Sequence, residues 1–192
     1  PVQTVIRPQR EGFIDYRGYA GRVASGILRK GDEVTVMPSG FTSKISSINL
    51  HDKELEEAYA PMSVSITLED DIDISRGDMI VRSNNKPEPS QDIEVMLCWL
   101  NNSAAKPRAK YTIKHTSNDQ KAMIKEVVYK YDINTLERNS EDSDLAMNDI
   151  AKVKIRTTKP LMIDAYRENR TTGSIILVDD ATNETVAAGM IV

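Results

Sequence analysis

Residues 26–31 come nearest to phosphate chemistry, because their two terminal glycines have the spacing of a phosphate-binding loop. Such a loop continues with Lys and then Ser or Thr, which reach the phosphates and Mg²⁺. Here Asp32 and Glu33 follow instead, and two carboxylates would repel a phosphate group. No complete phosphate-loop motif occurs elsewhere in the sequence. We therefore predict no nucleotide site and no cofactor in this chain.

The other reactive side chains lack the spacing of a catalytic or metal site. His51 and His115 are the only histidines, and neither stands near a cysteine or a second histidine at ligand spacing. Cys98 alternates with Trp99, which predicts a packed thiol and not a nucleophile. The acidic residues at 70–73 could bind a divalent cation weakly, but a solvated loop is the simpler interpretation. We predict no catalytic residue and no metal site.

The run Arg-Glu-Asn-Arg at residues 167–170, between Tyr166 and Gly173, is suited to a loop that presents hydrogen-bond donors. Arginine pairs with carboxylate or phosphate in a planar, bidentate manner, which favours docking of a partner or a neighbouring domain. An internal network that pins the loop to its own barrel is the alternative. Both interpretations stay open at this point. The predicted partner contacts of this loop are Arg167, Asn169 and Arg170.

The elements that position these residues are strands. Residues 62–68, 92–100 and 151–155 alternate apolar and polar side chains, the pattern of half-buried strands. Residues 125–133 have the same pattern and predict Val127, Tyr129, Tyr131 and Ile133 on one side. Glycines at 18, 21, 26 and 31 recur too often for a helix interior and indicate a bent strand at a barrel corner. Lys30-Gly31-Asp32 predicts a tight turn, because Gly31 can take a positive φ, and Arg76-Gly77-Asp78 repeats this turn.

Short strands at this spacing, without a long helical stripe, predict an all-β fold of two consecutive β-barrels. Residues 52–60 contain strong helix formers but lack an apolar stripe, so a helix there is only an alternative. Residues 83–90 have two prolines and no apolar side chain, which indicates a linker. The predicted division is a barrel at 1–84, a linker at 85–89 and a barrel at 90–192.

Composition excludes several classes of protein. The net charge is −4, and both halves of the chain are negative, so nothing predicts a nucleic-acid-binding face. No apolar run is long enough to span a membrane, and no signal peptide precedes the first strand. A single cysteine fits a reducing compartment, so we expect a cytoplasmic protein. The start at Pro1 suggests a piece of a longer chain.

Two motifs carry a resemblance to a known family. Residues 15–26 read Asp-Tyr-Arg-Gly-Tyr-Ala-Gly-Arg-Val-Ala-Ser-Gly, and Lys30-Gly31-Asp32 and Asp73-Ile74-Ser75-Arg76-Gly77-Asp78 follow. This part resembles the second domain of the GTP-binding subunit of sulfate adenylyltransferase, a translation-factor GTPase related to elongation factor Tu. Residues 166–173, Asp179 and residues 188–191 resemble the close of the third domain of that subunit.

The resemblance implies both a fold and a function. The two barrels would correspond to domains two and three of elongation factor Tu, and GTP and Mg²⁺ would bind an N-terminal domain outside this chain. The barrels would couple that GTPase domain to the catalytic subunit, a nucleotidyltransferase that makes adenylyl sulfate from ATP and sulfate. This chain itself would not be an enzyme. Tyr16, Arg17 and Tyr19 join the predicted partner contacts.

Two questions stay open after the resemblance. The tRNA-binding barrels of a translation elongation factor are the alternative function, since fold alone does not settle function. The sequence also does not reveal whether an adenylyl-sulfate kinase is fused downstream, as in some relatives.

Overall fold

The computed structural model describes residues 1–8, 16–105 and 108–192, and the start of the first family motif, including Asp15, lies outside them. The chain divides into two compact units, which we call unit 1 (Pro1–Pro87) and unit 2 (Glu88–Val192). All regular secondary structure in the described ranges is β-strand. The prediction of an all-β fold is therefore confirmed.

The described residues of unit 1 form nine strands: β1 Val2–Ile6, β2 Gly18–Arg22, β3 Ile27–Arg29, β4 Glu33–Met37, β5 Thr42–Leu50, β6 Lys53–Leu55, β7 Glu57–Tyr59, β8 Ser63–Leu68 and β9 Met79–Arg82. Six of them form an antiparallel sheet in the order β1-β2-β8-β5-β4-β9, with β6 added to β5. Strands β3 and β7 pair separately. The two edge strands do not form a ladder in the described part, but Val2 bonds through its backbone to Gly77 and Asp78.

Two turns of unit 1 have the same construction. Gly31 and Gly77 take positive φ angles of 84° and 97°, which glycine adopts at little cost. The following residue closes each turn through its side chain, since Asp32 Oδ2 accepts from the Arg29 backbone at 2.9 Å and Asp78 Oδ2 accepts from the Ser75 backbone at 2.8 Å. The predicted turn at residues 30–32, and its repeat at 76–78, are confirmed.

Residues 52–60 form two short strands, β6 and β7, which pair with different strands, and not a helix. Leu55 pairs with Ile48, and Tyr59 pairs with Ile27. Leu55 packs against the core of unit 1, while Tyr59 is exposed. The two short strands are held by pairing with other strands and need few apolar contacts. A helix would need a continuous apolar stripe to pack against the core, and residues 52–60 lack one.

Unit 2 has seven strands: β10 Glu88–Trp99, β11 Lys110–His115, β12 Asn118–Tyr131, β13 Arg138–Asn139, β14 Ile150–Ile163, β15 Ser174–Val178 and β16 Thr185–Ile191. Six of them run in the order β11-β15-β16-β10-β14-β12, and β12 pairs again with β11. This closes a six-stranded barrel, and closure removes the exposed sheet edges. β13 extends the sheet beyond β12.

The barrel interior follows the predicted alternation along β10 and β14. Val95, Ala151, Val153 and Ile155 are fully buried, and Trp99 is 2% exposed. Their neighbours in sequence face outward, which is the period of two expected of a strand with one wet face. The polar residues that alternate with the buried ones along β10 and β14 lie on the outer surface of the barrel.

The alternation predicted for residues 125–133 is wrong. Val127 packs against the core and pairs with Val153, whereas Tyr129 pairs with the outward-facing Lys152. The register shifts between Val127 and Tyr129, and an extra residue in one strand reverses which face the following side chains take. Ile133 lies beyond the end of β12 and is 64% exposed.

The predicted linker overlaps the first strand of unit 2. Glu88 and Pro89 belong to β10 and pair with Ile163 and Met162. A linker at 85–89 is therefore two residues too long. Proline is compatible with an antiparallel strand where no ladder hydrogen bond is required of its nitrogen. The assignment of two independent folding domains stays a prediction.

Candidate functional site

Tyr19, predicted as a partner contact, is part of the interior of unit 1. Its side chain is 3% exposed, and its hydroxyl donates to the carbonyl oxygen of Ile72 at 2.8 Å. Burial raises the pKa of Tyr19, with Arg17 opposing that shift. A side chain buried in this way holds the acidic segment at 70–73 against β2. Its prediction as a contact residue is thus corrected to a structural role.

Arg17 and Tyr16 support the same corner. Arg17 Nη1 lies 2.5 Å from Asp71 Oδ1, and the Arg17 side chain remains 30% exposed. The ring of Tyr16 lies over Gly18, because a Cβ added at Gly18 would stand 3.0 Å from the Tyr16 Cε1 and hydroxyl oxygen. Both side chains are half-buried, so their outer edges stay available for contact.

The apparent phosphate loop at residues 26–31 has a structural use. Its middle is strand β3, and Lys30 Nζ lies 2.5 Å from Glu54 Oε1 while Arg29 Nε lies 3.1 Å from Glu57 Oε2. The two cations that could attract a phosphate are thereby paired with carboxylates of the neighbouring strands. This arrangement offers no cradle for an anion.

The second predicted contact region is the segment between β14 and β15, which we call the 164–173 loop. Asn169 Oδ1 accepts hydrogen bonds from the backbone of Thr171 at 2.9 Å and of Thr172 at 3.4 Å. A Cβ added at Gly173 would stand 2.4 Å from Tyr166 Cα, so only glycine fits there. Asn169 therefore shapes the loop from inside.

Two further bonds, which sequence reasoning missed, hold the loop in place: the first lies within the loop, and the second anchors it to β11 of the barrel. Thr172 Oγ1 donates to Asp164 Oδ2 at 2.6 Å, and His115 Nε2 lies 2.6 Å from the carbonyl oxygen of Thr172. Burial lowers the pKa of His115, while the Thr172 carbonyl and the Asp164 carboxylate partly oppose that shift. The histidine is 57 positions away in sequence, so no local pattern could have identified it.

Arg167 and Arg170 have a different environment from Asn169. Both are exposed, and within the described part of the chain neither guanidinium group makes a hydrogen bond or an ion pair. The only bond at Arg170 uses its backbone carbonyl, which accepts from Ser174 Oγ at 2.5 Å. Asn169 therefore supports the internal network, and partner contact by the two arginines stays a prediction.

A half-buried cation was also missed by the sequence analysis. Lys130 is 15% exposed, and its Nζ lies 2.7 Å from both Asp142 Oδ2 and Asp149 Oδ2. Asp149 closes a turn of the kind seen in unit 1, accepting from the Ala146 backbone at 2.8 Å. Asn148, with φ 70°, takes the position that glycine holds in the other two turns. The dipeptide Asn148-Asp149 was the sequence feature from which this turn could have been predicted.

The described residues contain no cluster of three or more His, Cys, Asp or Glu side chains that could hold a metal ion. Nor does any helix in the described ranges have the length and apolar character needed to cross a bilayer.

Two family models match the chain. GTP-eEF1A C-terminal domain-like covers residues 92–192, more than half of the chain, and elongation factor Tu domain 2 covers residues 19–81. The crystal structure of Sup35 complexed with GDP superimposes with a TM-score of 0.88 at 16% identity, covering 100% of this chain and 46% of that one. A likeness at this identity describes the fold alone, and it agrees with the predicted elongation-factor-like barrels.

The whole chain is similar to sulfate adenylyltransferase proteins. It is 49% identical to the bifunctional enzyme CysN/CysC of Rhodopirellula baltica and 46% identical to that of Mycobacterium tuberculosis, over 100% of this chain and 29% and 31% of those proteins. It is 45% identical to sulfate adenylyltransferase subunit 1 of Bacteroides fragilis, again over its full length and 39% of the relative. The chain thus spans about a third of the length of these curated relatives.

Proposed function

This chain belongs to the GTP-eEF1A C-terminal domain-like family, and from that membership we propose that it is the pair of barrel domains of a sulfate adenylyltransferase GTPase subunit. The observation that carries the proposal is 45% identity along the full chain to a protein named sulfate adenylyltransferase subunit 1, with 49% identity to a bifunctional enzyme CysN/CysC beside it. The name subunit 1 implies that such relatives work within a multi-subunit enzyme.

In this proposal the barrels are a coupling module and perform no chemistry themselves. GTP and Mg²⁺ would bind a domain in the remaining length of the full protein, and a separate catalytic subunit would form adenylyl sulfate from ATP and sulfate in the cytoplasm. The barrels would transmit the nucleotide state by changing how packed surfaces meet. The absence of a Lys-Ser or Lys-Thr after residues 26–31 supports placing nucleotide chemistry elsewhere.

We assign partner contact to four of the residues predicted from the sequence. Arg167 and Arg170 are exposed guanidinium groups without a carboxylate, and such groups can form bidentate pairs with a partner. Tyr16 and Arg17 are half-buried beside β2 and offer a second, smaller contact. Tyr19 is left out because it is buried.

Two binding measurements test the proposal. The 192-residue chain should bind the cognate catalytic subunit in isothermal titration calorimetry without any nucleotide. The same chain should not bind GTP with Mg²⁺ more tightly than about 10 μM, which corresponds to roughly −7 kcal/mol. Failure to bind the catalytic subunit would remove the coupling role, and tight GTP binding would show that the nucleotide site was misplaced.

The alternative is a pair of tRNA-binding barrels, which the elongation factor names of the family models favour. The net charge of −4 argues against it, since binding to a nucleic-acid backbone needs a concentration of cations. A filter-binding assay with aminoacyl-tRNA at about 50 mM and 200 mM salt discriminates the two. Tight binding that weakens steeply with salt would favour the translation-factor role.

A further inference from the structure

The outer surface of unit 2 has an apolar region across four neighbouring strands. Ile176 pairs with Ala188, Ala188 pairs with Cys98, and Cys98 pairs with Ile150, which makes one continuous row across β15, β16, β10 and β14. These side chains lie on the side opposite the buried ones, since Ile176 and Cys98 each stand between two buried residues, and Ala187 and Ala151 next to Ala188 and Ile150 are buried. Paired side chains on one face lie about 5 Å apart and form a continuous surface.

A second row runs beside the first. Met190 pairs with Met96, and the row continues to Ser174 on one side and Lys152 on the other. Met190 is 48% exposed, and Met96 is half-buried. We call the six apolar residues of the two rows the methionine face: Met96, Cys98, Ile150, Ile176, Ala188 and Met190.

Methionine is a common residue at protein interfaces, because its flexible thioether adapts to an irregular partner surface. An apolar region bordered by polar groups on a folded protein commonly marks an interaction site. The packing of unit 2 gives no reason for this surface, since the barrel core lies on the other side of the same strands.

The borders of the methionine face differ in their charge. On one side Glu94 is paired with Lys152 at 2.6 Å, so that border is electrically balanced. On the other side Ser174 Oγ donates to the backbone of Arg170, which joins the face to the 164–173 loop. Arg167 and Arg170 on that loop have no carboxylate within the described chain. Residues 167–170 carry two arginines and one exposed carboxylate, that of Glu168, so this segment at the border has a net charge of +1.

We propose that the methionine face and the two loop arginines form one docking surface for a folded protein whose contact area has an apolar centre and carboxylates along one edge. Arginine at the border provides bidentate pairing, and the apolar centre excludes water from it. The inference rests on the proposed function, in which the partner is the catalytic subunit. The inference adds to the proposed function the surface on which the catalytic subunit binds and the chemistry that the subunit presents to it.

Cysteine footprinting tests the location. Cys98 is the only cysteine of the chain, and Cys98→Ser permits single cysteines to be placed at Met190 and, as a control, at Met147. Met147 is 49% exposed, which matches Met190. It belongs to a turn in which the Asn148 backbone donates to the Trp99 carbonyl oxygen. Trp99 lies roughly 10 Å from Met96 along β10. The rate of alkylation by iodoacetamide is measured with and without saturating catalytic subunit.

We expect the catalytic subunit to slow alkylation at position 190 at least tenfold and at position 147 less than twofold. In calorimetry, Met190→Glu and Arg170→Glu should each weaken binding at least tenfold, whereas Met147→Glu should change it less than twofold. Circular dichroism of each variant confirms that the outward substitution leaves the β structure intact.

The outcomes separate the inference from the proposed function. If the catalytic subunit binds but alkylation at position 190 is unchanged, the docking surface lies elsewhere and the coupling role stands. If the subunit does not bind at all, the proposed function itself fails. If sedimentation of the chain alone shows a dimer with position 190 protected, the face joins two copies and the inference is overturned.

Discussion

His115 Nε2 lies 2.6 Å from the carbonyl oxygen of Thr172, which ties the buried end of β11 to the last turn of the 164–173 loop. A carbonyl oxygen can only accept a hydrogen bond, so this nitrogen carries the hydrogen. Burial at 2% exposure disfavours the charged ring and lowers its pKa. The loop is therefore held by a histidine that is neutral at neutral pH, and the cost of charging this buried ring makes the stability of the fold depend on pH.

The first prediction is a loss of stability in mild acid. The unfolded chain takes up a proton on His115 below its ordinary pKa of about 6.5, whereas the folded chain resists it. The free energy of unfolding should fall as pH decreases through that value, by at most about 1.4 kcal/mol per pH unit, until the folded pKa is reached. Urea titrations between about pH 7.5 and 5.0 measure this.

The second histidine supplies the control for this prediction. His51 is exposed and has a φ of 53°, a conformation that asparagine tolerates. His51→Asn should keep the full loss of stability between neutral and mildly acid pH. His115→Asn should be less stable at neutral pH and should lose most of the pH dependence in this window. Equal pH dependence in both variants would rule out His115 as its source.

The second prediction concerns close backbone contact at Gly173. A Cβ there would stand 2.4 Å from Tyr166 Cα and 2.8 Å from the Asn169 carbonyl oxygen, and backbone atoms cannot move aside cheaply. Gly173→Ala should destabilise the chain by about 2–3 kcal/mol, the upper part of the range for overpacking. Gly18→Ala is the matched control, since its nearest contacts belong to the movable Tyr16 side chain, and it should cost less than about 1 kcal/mol. Thermal denaturation compares them.

The third prediction concerns the half-buried cation of unit 2. Lys130→Met would leave the carboxylates of Asp142 and Asp149 without their counterion, and the exposed fraction of the side chain is 15% for Lys130, 45% for Asp142 and 26% for Asp149. Because solvent screens the two carboxylates, we expect a loss of about 1–2 kcal/mol in chemical denaturation, less than for a fully buried pair. Lys154→Met, at an exposed pair with Glu126, should change stability by no more than about 0.5 kcal/mol. Similar losses in both variants would contradict a special role for Lys130.

Strands with strict alternation were predictable from the sequence. In β10 and β14 the apolar residues at every second position, such as Val95 and Val153, occupy the barrel interior as expected. Such strands can be predicted from local sequence, because apolar side chains at every second position define the one face that is buried. The turns at Gly31 and Gly77 were likewise visible, since few other residues take a positive φ.

Features that depend on pairing between distant strands were not predictable. The register shift after Val127 in β12 is set by its partner β14 and has no marker in the sequence of β12 itself. The anchor from His115 to Thr172 and the row from Met190 to Met96 likewise join residues brought together only by barrel closure. The burial of Tyr19 was missed because the family motif that contains Tyr19 was interpreted as a partner-contact surface.

The last prediction separates the docking residues of the 164–173 loop from the residue that shapes it. Arg167→Ala and Arg170→Ala remove exposed side chains without partners in the described chain, so each should change the unfolding free energy by no more than about 0.5 kcal/mol. Asn169→Ala removes the acceptor of two backbone hydrogen bonds and should cost about 1–2 kcal/mol. Thermal and urea denaturation of the 192-residue chain measures these changes.

Assembly with the catalytic subunit should show the reverse order. An interfacial charge pair that loses one partner can cost about 2–5 kcal/mol, so either arginine variant should weaken binding in calorimetry by at least tenfold. Arg156→Ala is the control, because Arg156 is already paired with Asp92 on the outer surface of the barrel. If the arginine variants lose stability and still bind normally, these residues belong to the fold. If neither quantity changes, the loop contributes neither to stability nor to docking, and the proposed contact is wrong.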